Sequence, residues 1–250
     1  MEIRFVEETT STNTVLYEEG LAGRTEDCML VAFRQTNGKG RRGREFYSPV
    51  DTGLYLSIFL HKKMEVSKAM LLTPLMAVAA SEAVEKYIDD SISIKWVNDL
   101  YYKDKKVSGI LTESSPLILD GKTEFVVIGI GLNLFEPEGG FPEDIKGRAG
   151  AIFDKSIKNV TDMSHDELTA LKKELAQTIL ERFEFHYSKF PNETPVEEYR
   201  KRSYISSRWV QILDGPEVFV EGISDDFGLA IQYRDGSKDI LKAGEVSLVL

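Results

Sequence analysis

Residues that commonly hold metals or act as nucleophiles are scarce in this chain, which has one cysteine and three histidines. A lone Cys28 excludes an internal disulfide framework and a cysteine-based zinc site, and it favours a reducing, cytoplasmic setting. Cys28 has no activating neighbours in sequence and reads as a small packed hydrophobe. His61, His165 and His186 stand apart without paired-ligand spacing, and no G-x-S-x-G nucleophile elbow occurs. The first residues lack the cationic start and apolar stretch of a secretory signal. No apolar run approaches the ~20 residues of a membrane helix, so no membrane partner is expected. Positive charge is also short: 31 Lys+Arg face 41 Asp+Glu, a formal net charge of -10. That sign opposes non-specific nucleic-acid binding, and no DNA partner is expected.

What remains suits a globular enzyme-sized chain. At 250 residues and 42% hydrophobic content, one medium domain, or one with a small appendage, can bury its own core. Strand patterns are predicted over residues 2–7, 29–33, 53–60, 92–96, 107–113 and 124–132. The polar cluster Thr9-Thr10-Ser11-Thr12-Asn13 is rich in helix N-cap residues, and a short helix is predicted after it, ending at Gly20 or Gly23. A helical pattern over residues 67–87 contains Pro74, so Thr73 caps a helix there or the helix kinks. Residues 99–106 read as a charged hairpin turn and residues 137–154 as a long irregular loop. The clearest amphipathic helix covers 166–189, with Leu168, Leu171, Leu175, Ile179 and Phe183 on one face. Beyond a boundary near 203–208 come four short β patterns, at 210–213, 218–223, 229–233 and 246–250. They read as a small barrel or sandwich.

Four segments could carry chemistry. Gly38-Lys39-Gly40-Arg41-Arg42-Gly43-Arg44 packs four cations into seven residues of an acidic protein. It fits G-x-G-x-x-G, yet it leads through Phe46 towards a strand, so it is neither a dinucleotide fingerprint nor a Walker A loop. It is a backbone able to close on an anion through guanidinium forks, or else a solvated surface loop. Lys95-Trp96-Val97-Asn98-Asp99 ends a buried strand in a site or in an ordinary Asn-Asp turn. Lys106-Val107-Ser108-Gly109-Ile110-Leu111 carries a strand glycine, marking either a close ligand or a bulge. Gly129-Ile130-Gly131-Leu132-Asn133 strips side chains from one face of a strand, for a ligand or for a packed neighbour.

In this order, with Ser11-Thr12-Asn13 and Gln35 ahead of them, the segments resemble the biotin protein ligase family. Gly244-Glu245-Val246-Ser247-Leu248 is similar to the family's closing strand, so the resemblance spans nearly the whole chain. It implies an α/β (α+β) fold: a class II aminoacyl-tRNA-synthetase-like catalytic domain with a mixed sheet at 1–203, and a small SH3-like β-barrel at 204–250. The chain looks like the short type without a DNA-binding domain. The implied reaction joins biotin and ATP, with Mg2+, into biotinyl-adenylate and pyrophosphate. The biotinyl group then passes to a lysine of a biotin carboxyl carrier domain. A homodimer is compatible with the resemblance.

Residue roles follow from the same resemblance. Ser11, Thr12 and Gln35 would bond the ureido ring of biotin, with Asn13, Lys39 and Gly40 in the same set and Gly38 and Gly109 lining the pocket. Arg41 and Lys106 would serve both substrates and offset the repulsion between carboxylate and α-phosphate. Arg42, Arg44, Asn98 and Asn133 would hold the nucleotide. Phe46, where the family often has Trp, would close the loop and keep water from the mixed anhydride. Asp99 would help the acceptor lysine lose its proton. The chain departs from the family at Lys39 (usually Arg), at Val97 (usually Pro) and at Ala149-Gly150-Ala151, where relatives usually carry Ser or Thr. Two other readings compete: a lipoate or octanoate ligase, and a non-catalytic anion- or nucleic-acid-binding module. Ser11, Thr12 and Gln35 oppose the first, because an alkyl ligand would leave them unpaired. The net charge opposes the second.

Overall fold

The computed structural model describes residues 1–49, 52–153 and 163–249. In chain order the elements begin β1 (Glu2–Thr9), α1 (Thr12–Leu21), β2 (Cys28–Gln35), β3 (Gly53–Leu60), β4 (Met64–Glu65), α2 (Val66–Met70) and α3 (Leu72–Val84). Next come β5 (Ser93–Lys95), β6 (Asp99–Tyr102), β7 (Lys105–Ser114), β8 (Ile118–Leu119), β9 (Lys122–Thr123), β10 (Val126–Asn133), α4 (His165–Lys189) and α5 (Val196–Lys201). The chain closes with β11 (Trp209–Ile212), β12 (Glu217–Ile223), β13 (Leu229–Gln232), β14 (Lys238–Leu241) and β15 (Val246–Leu248).

Seven strands form the main sheet in the order β1-β2-β3-β10-β7-β6-β5. β1 runs parallel to β2 and the other neighbours pair antiparallel, so the sheet is mixed, as expected. A parallel pair needs a crossover, and α1 supplies it. Alternation along β2 then serves two cores. Cys28 and Leu30 join Leu16 of α1 and Phe59, Phe125 and Val127. Met29, Val31 and Phe33 join Leu75 and Val78 of α3 and Ile179 and Phe183 of α4. Covering both faces explains why β2 and β3 are continuous apolar runs.

Several local expectations change. The pattern at 67–87 is two helices, broken at Leu71, and Pro74 falls in the first turn of α3. Its missing N–H costs nothing there. Thr73 is no cap, since its hydroxyl lies 2.7 Å from that of Thr112. The predicted turn at 99–106 contains β6. The turn shrinks to Lys103 and Asp104, whose φ values of 48° and 60° suit a two-residue hairpin. Ser11 precedes α1 in extended backbone but makes no side-chain cap bond.

The C-terminal residues form a five-stranded antiparallel sheet, β14-β13-β12-β11-β15. Among the described residues no pairing joins β14 to β15, so no barrel closes. β14 escaped sequence reading because Lys238, Asp239 and Ile240 are all exposed, leaving no alternation. The two sheets are tied together. The Ile94 amide donates to Arg202 O at 2.6 Å, the Tyr204 amide to Ile94 O at 2.9 Å, and Trp96 Nε1 to Phe227 O at 2.8 Å. The ends of two sequence expectations, the loop at Asp154 and the last strand at Leu250, lie outside the described residues. Among those residues no helix is long and apolar enough to cross a membrane.

α4 begins in a capping box between Ser164 and Glu167. It is bolted to α3 through Glu82, which accepts from Arg182 Nε at 2.6 Å and lies 3.0 Å from His186 Nε2. Burial opposes ionisation of Glu82, but the His186 and Arg182 bonds prevail and hold its carboxyl below the ordinary value of 4.5. A depressed carboxylate stabilises the fold fully above its unfolded value, and the contribution is lost as pH falls through the lowered native value. We therefore expect Glu82→Gln to cost about 1–3 kcal/mol at neutral pH. The difference from wild type should shrink as pH drops below 4.5, as measured by urea midpoints. Parallel stability curves down to acid pH would refute the bolt.

Candidate active site

Directly opposed residues on neighbouring strands share a sheet face. One row crosses five strands as Tyr55, Gly131, Gly109, Asp99 and Lys95. Beside it runs a shorter row, Ser57, Gly129 and Leu111. Both face α1, so where other positions on this face pack against that helix, three glycines leave a trough. Gly129 and Gly131 are needed bare, whereas Gly109 leaves room for an ordinary contact. A Cβ on Gly129 would lie 1.9 Å from Asn13 Oδ1, and one on Gly131 would lie 2.7 Å from the Phe46 ring. A Cβ on Gly109 would sit 3.4 Å from the same ring.

One end of the trough is a polar knot. Ser57 Oγ lies 2.6 Å from Asn13 Oδ1 and 2.8 Å from Thr12 Oγ1. Asn13 Nδ2 donates to Leu111 O at 3.2 Å and to Glu113 Oε2 at 2.9 Å. Gln35 Oε1 accepts from the Thr12 amide at 2.8 Å and stands 3.2 Å from its hydroxyl. The residues that looked like helix caps therefore point across the sheet, and Ser11, Thr12 and Asn13 are all buried. They line a small recess of about 20 Å³ with Gln35 and Gly129.

The other end is cationic. A cleft of about 110 Å³ is lined by Arg41, Lys95, Asn98, Asp99 and Lys106, with Phe46 common to it and to the polar recess. The glycine-arginine loop folds onto itself: the Phe46 amide donates to Gly38 O at 2.8 Å and the Gly40 amide to Arg44 O at 2.7 Å. Arg41 donates to Asn98 Oδ1 at 2.8 Å and to Gly244 O at 3.3 Å. Arg44 forks onto both oxygens of Glu245 at 2.8 and 3.0 Å. That fork holds the Glu245 carboxyl below its ordinary value. Lys106 pairs with Asp99 at 2.8 Å. Burial pulls the Lys95 ammonium down and pushes the Tyr55 phenol up to about 12.

The structure thus gathers Ser11, Thr12, Asn13, Gln35, Lys39, Gly40, Arg41, Arg44, Phe46, Asn98, Asp99, Lys106 and Gly109 around one trough. Gly38 backs it, where a Cβ would lie 2.5 Å from the Phe46 carbonyl. Two residues fall outside. Arg42 is exposed and reaches only Glu245, at 4.0 Å. Asn133 stands at the end of β10, donating to Gly150 O at 3.1 Å. It connects to the cleft only through the 148–150 segment, which bonds the Lys106 backbone. Sequence reasoning passed over Ser57 and Glu113, and it quoted Lys95 and Glu245 within their segments without giving either a role. Ser57 carried a signal, as the one aliphatic hydroxyl in the apolar run Leu54–Leu60.

A trough with a polar recess at one end, cations at the other and the Phe46 ring between them thus lies on the sheet of a mixed α/β domain. The model of the biotin/lipoate A/B protein ligase family matches residues 5–133. The chain belongs to that family. The bifunctional ligase/repressor BirA of Escherichia coli is 35% identical over half of this chain and 38% of its own length. The biotin–[acetyl-CoA-carboxylase] ligase of Mycobacterium tuberculosis is 27% identical over 96% of this chain and 86% of its own. The biotin protein ligase of Aquifex aeolicus, solved with biotin and ATP, superposes with a TM-score of 0.75 at 29% identity, covering 99% of this chain and 98% of that one. The chain spans less than half the length of the first curated relatives it matches.

Gly129→Ala forces the Asn13 amide out of its bonds. It should lower unfolding free energy by about 1–3 kcal/mol, read by chemical denaturation. An unchanged midpoint would remove the steric argument for a bare strand.

Proposed function

We propose that the protein is an ATP-dependent biotin protein ligase that forms biotinyl-adenylate and passes the biotinyl group to a lysine of a biotin carboxyl carrier domain. The observation that carries this is the single trough joining a buried amide-hydroxyl knot to a cationic cleft. Biotin matches it end to end, with a polar ureido ring, an apolar chain and a carboxylate. On this reading Ser11, Thr12 and Gln35 bond the ureido group, with Ser57 and Asn13 fixing their orientation. Lys39 and Gly40 border the same pocket, and Gly38 and Gly109 keep it narrow. A lipoyl or octanoyl chain would leave the knot unsatisfied, at a cost of about 1–3 kcal/mol for each buried polar group stranded.

The first step needs no base, because the biotin carboxylate is already a nucleophile. Its barrier is repulsion between that carboxylate and the α-phosphate. Fixed cations lower it in a site where water is excluded. Arg41 is aimed by Asn98 and Gly244 O, and Lys106 is aimed by Asp99. Arg44 and Phe46 fasten and close the loop, while Arg42 and Asn133 reach the nucleotide from its edges. Magnesium enters as MgATP, with the substrate phosphates among its ligands. In the second step Asp99 takes up the proton that the acceptor lysine must lose. The C-terminal sheet, from residue 204 onward, is the counterpart of an SH3-like module, appended to a catalytic domain at 1–203.

Purified protein with MgATP should release pyrophosphate when given biotin but not lipoate, and Arg41→Ala should slow release by about 10²–10³-fold. Release with lipoate alone would favour the alternative acyl ligase. Tight oligonucleotide binding without turnover would favour a non-catalytic module. Asp99→Asn should slow transfer from preformed adenylate, and unimpaired transfer would exclude Asp99.

A further inference from the structure

Lys95 ends the row of opposed residues that begins at Tyr55 and passes over the two bare glycines and Asp99. Two strand spacings of ~4.8 Å place it about 10 Å from Gly109, on the same face. Its side chain is half-buried and lines the cationic cleft. The other cations of that cleft are differently placed. Arg41 is bonded to Asn98 and Gly244, Arg44 to Glu245 and Lys106 to Asp99, while Lys39 is exposed on the loop. Among the described residues Lys95 makes no ion pair within 4.0 Å, and its ammonium lies 5.8 Å from the Tyr101 ring centroid. It is therefore the cation on a rigid strand whose charge is not already committed to a carboxylate.

Direction along the row supplies the role. On the biotin-ligase reading, on which this inference rests, the ureido ring lies at the Ser57 end and the biotin carboxylate points towards Asp99 and Lys106. Displacement at the α-phosphorus is in line: attacking and leaving oxygens lie on opposite sides. A carboxylate oxygen forms the new bond to phosphorus. The bond from phosphorus to the bridging oxygen breaks, and its electron pair leaves on pyrophosphate. An attack that runs across the strands from β3 towards β5 delivers the leaving group to the Lys95 end of the row.

We propose that Lys95 receives the pyrophosphate leaving group, stabilising the charge that develops on the bridging oxygen during adenylate formation. The arrangement divides labour. Arg41 and Lys106 act where carboxylate and α-phosphate meet, and Lys95 acts only where negative charge departs. Burial already disfavours its unpaired ammonium, so an arriving polyanion relieves a desolvated charge. A residue in this place serves adenylate synthesis and its reversal, but not transfer to lysine, in which no pyrophosphate takes part.

The test separates those steps with Lys95→Met, which removes charge at similar length, and Lys95→Arg, which keeps it. Lys95→Met should slow biotin-dependent pyrophosphate release and pyrophosphorolysis of preformed biotinyl-adenylate alike, by about 10–100-fold. Biotin affinity by calorimetry and single-turnover transfer from preformed adenylate to a carrier domain should stay within about twofold. Lys95→Arg should recover most of the lost rate. If the methionine variant does not fold, Lys95→Gln should show the same split. Undiminished adenylate synthesis in the folded uncharged variant, or equal loss of synthesis and transfer, would overturn the assignment. A wild-type protein inactive with biotin would overturn the ligase reading and this inference together. An active wild type with an undiminished variant would overturn the inference alone.

Discussion

The structure depends on keeping one patch of a sheet empty. Both faces of the central strands are otherwise filled, by α1 on one side and by α3 and α4 on the other. A sheet packed in this way has no room for a ligand unless side chains are withheld. Gly109, Gly129 and Gly131 withhold them at neighbouring positions on two registered rows. The space they leave is shared between Asn13 and Phe46. Strand glycines lose more conformational freedom on folding than other residues, so a run of them in a core strand is retained for the space it creates.

Around that space, charge and polarity are sorted by position along the sheet rather than along the chain. Hydroxyls and amides gather over β3 and β10, where the helix start of α1 meets them. Cations gather on β7 and β5, either side of Asp99 on β6, and on the glycine-arginine loop. The loop is positioned by the C-terminal sheet, through the backbone of Gly244 and the carboxylate of Glu245. The small sheet is thus part of the site's architecture, and its seam with the main sheet is reinforced by Trp96 and by the strand-like pairing at Ile94. An exposed Arg–Glu pair contributes little to stability; here its use is to fix where a guanidinium-rich loop rests.

Much of this was legible in the sequence, because apolar runs and strand glycines carry their reasons locally. The main-sheet strands, the long amphipathic helix and the β-rich C-terminal region follow from periodicity, whereas the mixed sheet was implied by the resemblance. What could not be read was register. Ser57 and Lys95 become site residues only when strands align them with Gly129 and with Asp99. Residues 11–13 looked like a helix cap, because serine, threonine and asparagine serve both purposes and only the tertiary fold chooses between them. β14 was missed since its exposed edge residues need no alternation. The barrel was over-read: four of the five antiparallel strands are visible in the pattern, but closure depends on pairing between distant edges.

The fastening of the loop has a kinetic side. Arg41 and Arg44 find their acceptors 203 and 201 positions away in the chain, whereas the hairpins of the main sheet close over short separations. Contacts so remote are entropically expensive to form early and tend to arrive after local structure has settled. A half-folded molecule can thus own its central sheet, its glycine hollow and its buried amide cluster while the clasp is still undone. Competence then arises last, as a property of the finished molecule and not of any autonomous piece of it.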